Sequence, residues 1–240
     1  MQEIVCRYAK GEPVKYLSHL DLMRAWQRAC RRARLPLAFT QGAPPRPKIA
    51  FGPALGVGTT SEAEHLVLEL QEPLDPSVVQ EALNTSLPAG IQVLQCWSTP
   101  AHRRRFALGD LDTSDYRVTI VGDVAPDAIC DKVAQFTQSS AVIYHRRRGE
   151  RGRDLDLRPF VEILSVENAE PGKAGLHLRL KASGAGCASP HEVIAALGYA
   201  SPSFAVGVHR VSLYASGTTG KAARRRTAPL LPRGRRSKRS

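Results

Sequence analysis

His19 and Asp21 stand two residues apart at the start of a predicted helix. Histidine titrates near neutral pH and can act as a general acid or base. The same two side chains could instead only organise the helix start, where the dipole favours a carboxylate whatever the function. The sequence offers no evident partner base or nucleophile to complete a mechanism. Around them, Lys15, Arg24, Arg28, Arg46 and Lys48 could line one anionic groove. Backbone N–H groups at a helix start together with arginine suit phosphate. The alternative is a solvated helix face beside a structural proline loop.

A second basic stretch, His145 to Arg153, holds five arginines against one glutamate. It could contact RNA through phosphate and 2′-hydroxyl groups, or be no more than a hairpin end. Just after it, Asp156 and Arg158 fall on the same side if the chain is extended there. They could support one site or pair with each other.

Several chemistries lack their motifs. There is no Cys-x3-Cys-x2-Cys triplet for an iron–sulfur cluster that binds S-adenosylmethionine. No phosphate-binding G-x-x-x-x-G-K-[ST] loop and no G-x-S-x-G nucleophile elbow occurs. Cys6, Cys30, Cys96, Cys130 and Cys187 are never closer than 24 residues, unlike the close pairs and triplets of metal sites. No cofactor or metal is therefore expected in this chain, and the cysteines read as free thiols.

The elements that must carry these residues follow from pattern. Residues 2–9 read as a strand. Ser18 caps a helix that runs to about Arg34, stopped by Leu35-Pro36, with Asp21 in the place of a capping-box acid. Residues 41–48 hold three prolines in four positions and must be loop. A short strand at 49–51, a strand at 63–71, a helix at 76–87 and a strand at 91–97 complete a β-α-β-β-α-β order. That order predicts an antiparallel four-stranded sheet with both helices on one face, the ferredoxin-like split βαβ arrangement. A linker follows, and then strands at 116–121, 141–145, 160–167, 175–182 and 206–214 with helices at 126–138 and from Ser189 to Leu197. This half has one strand too many for a copy of the first.

The reading is an α+β protein of two tandem ferredoxin-like units, the second degenerate. They occupy residues 1–98 and 115–216, joined by a linker at 99–114 and followed by a disordered basic tail at 217–240. The chain has 240 residues and a net charge of +12. Nine of its 34 Lys/Arg fall in the last 20 residues, leaving +3 on the remainder, so the strong charge belongs to the tail. Such a tail attracts nucleic acid without specificity. No apolar run approaches the ~18–20 residues of a membrane span, and Met1 to Cys6 does not open a signal peptide. The expected location is the cytoplasm, with no membrane contact.

The run Tyr16-Leu17-Ser18-His19-Leu20-Asp21-Leu22-Met23-Arg24 resembles the signature of the radical SAM-linked protein family. Collinear matches follow at Gln41-Gly42, Pro45-Arg46-Pro47, Phe51, Gly58, Ser61 and Glu64. Further matches come at Asp156-Leu157-Arg158-Pro159, Pro190, Glu192-Val193, Ala196-Leu197, His209-Arg210 and Leu213-Tyr214. The resemblance implies a bacterial domain of unknown activity, encoded beside or fused to a cobalamin-binding-type radical SAM protein. That partner would carry the iron–sulfur cluster and S-adenosylmethionine. It also adds Gln41, His209 and Arg210 to the candidate substrate-binding residues Lys15, Arg24, Arg28, Arg46, Lys48, Asp156 and Arg158.

Ala43-Pro44 and Cys187-Ala188-Ser189 depart from the family pattern, and the first change removes an aromatic from the loop. Three roles remain open. The chain could be an accessory protein that presents a substrate, RNA first among the classes, to a separate radical SAM enzyme. It could be a metal-independent RNA-processing or RNA-modifying enzyme using His19, since nucleases of the tandem ferredoxin-like type place a histidine on their first helix. Or it could be a structural partner that stabilises the radical SAM protein.

Overall fold

The computed structural model describes residues 1–99, 107–148, 151–184 and 186–216. Among the described residues it is a mixed α+β structure with one large sheet and four helices. The first half holds β1 (Gln2–Lys10), α1 (His19–Arg32), β2 (Ile49–Phe51), β3 (Thr59–Leu70), α2 (Pro76–Ser86) and β4 (Ile91–Ser98). The second holds β5 (Thr113–Val121), α3 (Pro126–Gln138), β6 (Ile143–Arg148), β7 (Arg151–Asp156), β8 (Val161–Glu170), β9 (Lys173–Lys181), α4 (Pro190–Ala196) and β10 (Ala205–Tyr214). The basic tail expected at 217–240 and the linker arginines 103–105 lie outside the described residues.

The helices begin where local chemistry satisfies their first N–H groups. The Ser18 hydroxyl accepts from the Asp21 N–H, and Asp75 accepts from the Ser77 N–H. Ser189 and Glu192 form a reciprocal capping box ahead of α4. Prolines at the first turn of α2, α3 and α4 cost nothing there, since those positions have no helical acceptor.

Seven strands follow the order β4-β1-β3-β10-β5-β9-β8, and β2 adds to β3. β1 thus lies between β4 and β3, with β2 beyond β3. β5 lies between β10 and β9, with β8 beyond β9. Every pairing in this sheet is antiparallel except that of β3 with β10, which run parallel over Thr59–Ser61 and Val208–Arg210. β10 is therefore the central strand, and it joins the two halves into one sheet.

Alternation along the strands divides the sheet faces. Ile4, Cys6, Tyr8, Leu66, Leu68 and Leu70 pack with Trp26 of α1 and Leu83 of α2. Val118, Ile120, Leu176 and Leu178 pack with Ile129 of α3 and Val193 of α4. A small cluster of Ala63, Leu111 and Leu213 forms separately, with Leu108 packed against it. Residues 107–112 of the expected linker are thus partly structural, a 3-10 turn at Leu108–Asp110 followed by buried Leu111.

Two expectations are corrected. β3 begins at Thr59 rather than residue 63, and both of its faces are largely buried. The extra strand expected in the second half is one arm of a hairpin: β6 pairs only with β7, forming a two-stranded sheet of its own. The hairpin is held at its base, where the Asp156 carboxylate accepts from the Val142 N–H and Leu155 and Leu157 enter the core. No helix among the described residues is long and apolar enough to cross a membrane.

Candidate functional site

The parallel seam between β3 and β10 collects charge where apolar residues would be expected. Tyr8 opposes Glu64, and Lys10 opposes Ser61 after a register shift between them. Arg210 lies opposite Ser61 on one side and Tyr116 on the other. Its guanidinium donates to Glu64 Oε1 at 2.9 Å, to the Tyr116 hydroxyl at 2.8 and 3.1 Å, and to the Pro53 carbonyl at 3.4 Å. The two ion-paired side chains are each 5% exposed. Burial pulls the Arg210 pKa down, but Glu64 and Tyr116 outweigh it and leave the group above its ordinary value. Burial, reinforced by the Glu64 charge, pushes the Tyr8 hydroxyl well up.

Lys10 is 1% exposed, and its ammonium donates to the carbonyls of Lys15 at 2.9 Å and Leu17 at 3.2 Å. Burial lowers its pKa, opposed by Glu64. The lysine thereby fixes the turn that leads into α1. Gly58, at φ +81°, donates its N–H to the same Lys15 carbonyl, in a conformation that favours glycine. The turn presents Tyr16 outward, 73% exposed, and Leu20 in the first turn of α1 and Val57 just before Gly58 are also open, at 63% and 55%.

His19 is half-buried with its ring edge-on to Phe51 at 5.7 Å between centroids, which fastens the start of α1 to β2. Asp21 bonds the Ser18 hydroxyl at 2.7 Å and Arg24 at 3.2 Å; Ser18 first, then Arg24, hold its carboxyl below the usual range. Asp21 is thus committed to the helix start, while His19 rests against Phe51 of β2.

Of the cations expected to line one groove, Lys15, Arg24 and Lys48 are already paired with Glu12, Asp21 and Glu69. Arg28, Gln41 and Arg46 are exposed. The proline loop is closed by Phe39 bridging to Pro47 and by Thr40, whose N–H donates to the Arg46 carbonyl and whose hydroxyl accepts from the Arg46 N–H.

In the second half, Leu157 is helical, so Asp156 and Arg158 do not share an extended segment. Asp156 accepts from the Val142 and Arg158 N–H groups. The Arg158 guanidinium donates to the carbonyls of Val161 and Thr137. Both close the hairpin base onto α3. Arg146 is also committed, donating to both Glu192 oxygens at 2.6 and 2.7 Å and to the Cys187 carbonyl. His209 reaches across the seam to the Thr60 hydroxyl at 2.8 Å, and His191 approaches Thr59 at 3.4 Å.

The structure thus brings Lys15, His209 and Arg210 to the seam and keeps Asp156 and Arg158 away from it. Lys10, Tyr116 and Tyr16 were not among the expected site residues. A signal existed for the buried charges: Glu64 shares strand parity with Leu66, Leu68 and Leu70, and Arg210 with Val206 and Val208. A charged residue on the apolar side of a strand is a buried charge in need of partners. Among the described residues no group of three or more His, Cys, Asp or Glu is placed to hold a metal ion.

Comparison with solved structures finds similarity to a chain of the crystal structure of a Cbf5-Nop10-Gar1 complex, with TM-score 0.49 and 13% identity over 86% of this chain and 47% of that one. A chain of an H/ACA RNP bound to a substrate RNA containing 2′-deoxyuridine gives 0.43 and 12%, over 87% and 46%. A chain of the archaeal box H/ACA sRNP Nop10-Cbf5 complex gives 0.39 and 11%, over 88% and 57%. The present chain thus spans about half the length of the solved chains it matches. No curated protein matches its sequence. A family model described as "Uncharacterized protein conserved in bacteria (DUF2344)" matches residues 3–190.

Proposed function

We propose, from the premise that this chain belongs to the bacterial family of uncharacterized conserved proteins DUF2344, that it holds a substrate for a separate radical SAM enzyme. In this reading the two halves are ferredoxin-like units, and the substrate class is RNA. The strand arrangement supports the first point, since each half has its first strand between its fourth and third, counting the hairpin of β6 and β7 as an insertion. The partner would carry the cluster and the S-adenosylmethionine; this chain would contribute binding and orientation.

One observation carries the reading. Part of the sequence resemblance, Gly58, Ser61, Glu64, His209 and Arg210, comes from far apart in the chain and meets at the seam. Lys15 precedes the Tyr16–Arg24 run and, through its carbonyl, meets Gly58; Ser61 pairs with Arg210, and Glu64 bonds it. Yet the groups gathered there are committed to one another, as a scaffold for a presenting surface would be. Exposed groups of the same half suit binding: Tyr16, beside Gly58, offers an aromatic face for an unstacked base, and Arg28 of α1 and Arg46 of the proline loop, with Gln41, offer cationic and polar contacts for phosphate.

The test is co-expression with the neighbouring radical SAM protein, followed by sequencing of the RNA that co-purifies. Arg46→Ala should weaken RNA binding by about 1–3 kcal/mol, the scale of one charge-assisted bond. His19→Ala should weaken it modestly and in parallel. Cleavage or modification of RNA by this chain alone, reduced roughly 10²–10⁴-fold in His19→Ala with binding unchanged, would establish the enzyme reading instead.

A further inference from the structure

Cys6 of β1 and Cys96 of β4 are register partners across an antiparallel pair, and their sulfurs lie 3.2 Å apart. Directly opposed residues in such a pair have Cα atoms roughly 4.5 or 5.5 Å apart. Both spacings fall within the ~4.4–6.8 Å that a disulfide spans. The two thiols differ in access. Cys6 is fully buried under the helices of the first half, whereas Cys96 is partly exposed on β4, which ends the sheet. The Gln80 side chain of α2 accepts from the Cys96 N–H and holds that position of β4 in place.

We infer that Cys6 and Cys96 are a redox modification site, which a low-molecular-weight disulfide such as oxidised glutathione converts to an intramolecular disulfide. The Cys96 thiolate attacks one sulfur of the oxidant, releasing one glutathione thiolate and leaving a mixed disulfide on Cys96. Cys6 gives up its proton and attacks the Cys96 sulfur, expelling the second glutathione. Two protein thiols are oxidised, and one oxidised glutathione is reduced to two thiols. Burial, and after it Cys96, raise the Cys6 pKa well above the ordinary value, which makes Cys6 inert to external reagents. Its one accessible reaction is with the sulfur already in contact with it. Cys130 and Cys187 are exposed and would stop at the mixed disulfide, while buried Cys30 is shielded. The new bond would close the loop between positions 6 and 96, which contains α1 and the turn bearing Tyr16.

The experiment exposes the native full chain to oxidised glutathione near pH 8, quenches with acid, alkylates in denaturant and maps the peptides by mass. The expected product is a Cys6–Cys96 linked peptide lighter by two hydrogens, with glutathione only on Cys130 and Cys187. Its denaturant midpoint should be higher than that of the reduced chain and should return on reduction. Cys6→Ser should leave glutathione trapped on Cys96, and Cys96→Ser should leave Cys6 unmodified. If Cys6 and Cys96 both remain alkylatable while Cys130 and Cys187 react, or if the link forms only in denaturant, the inference fails. The wild-type arm decides this even where a serine variant does not fold.

Discussion

Glu64→Gln should destabilise the protein by about 3–5 kcal/mol, because it leaves the Arg210 guanidinium charged inside the seam without its counter-ion. The two side chains are each 5% exposed, and the amide oxygen of the introduced glutamine, the Tyr116 hydroxyl and the Pro53 carbonyl would remain as acceptors. None of them carries a full charge. The measurement is the urea midpoint at unchanged slope, which separates lost stability from a changed unfolded state. Replacing the pair together, as Glu64→Leu with Arg210→Met, should recover much of the loss, since apolar residues of similar volume often serve as well as a buried ion pair. A loss below about 1 kcal/mol for Glu64→Gln would mean that the pair behaves like an exposed one. The seam would then be wet and its role in joining the halves wrong.

Acid should weaken the fold well before the carboxylates titrate. His65 is 2% exposed on the side of β3 opposite Glu64, with its ring edge-on to Trp97 at 6.2 Å. Burial first, then the Arg7 charge, push its pKa from 6.5 down to about 4. The unfolded chain therefore binds a proton near pH 6.5 that the folded chain refuses until about pH 4. In that window the unfolded state holds more protons, so stability falls as pH falls. The contribution is complete above 6.5 and lost below about 4, and the shift corresponds to about 3 kcal/mol. His191, lowered by burial, acts with the same sign. Urea unfolding at pH 7, 5.5 and 4.5 of wild type and His65→Gln apportions the two, and the variant should show the flatter profile. Equal slopes would place the effect elsewhere.

Local elements were legible because their causes are local. Ser18, Pro126 and Ser189 marked three of the helix starts, and Leu35-Pro36 marked the end of α1. Strand alternation found β1, β4, β5, β9 and β10 to within a few residues. The seam was not legible. Thr59–Ser61 and Val208–Arg210 are about 150 positions apart, and no periodicity reports which distant strand will lie alongside. The parity of Glu64 and Arg210 with apolar neighbours hinted at two buried charges but not that they meet. Charge counting misled in another way. Lys48, Arg146 and Arg158 looked available to a ligand and are bound within the fold. Composition counts a cation the same whether it faces phosphate or a carboxylate of its own chain.

The position of β10 has a consequence for how the chain comes to be folded. It follows every strand it touches in the sequence, yet it sits at the middle of the sheet with β3 on one side and β5 on the other. Until residues 205–214 leave the ribosome, the edges of β3 at Thr59–Ser61 and of β5 that β10 will cover have no strand to pair with. Such edges are templates for pairing with other chains. Covering them requires contacts of high sequence separation, which form slowly. The interval before the central strand arrives is therefore when this molecule is most open to aggregation and most in need of chaperone protection.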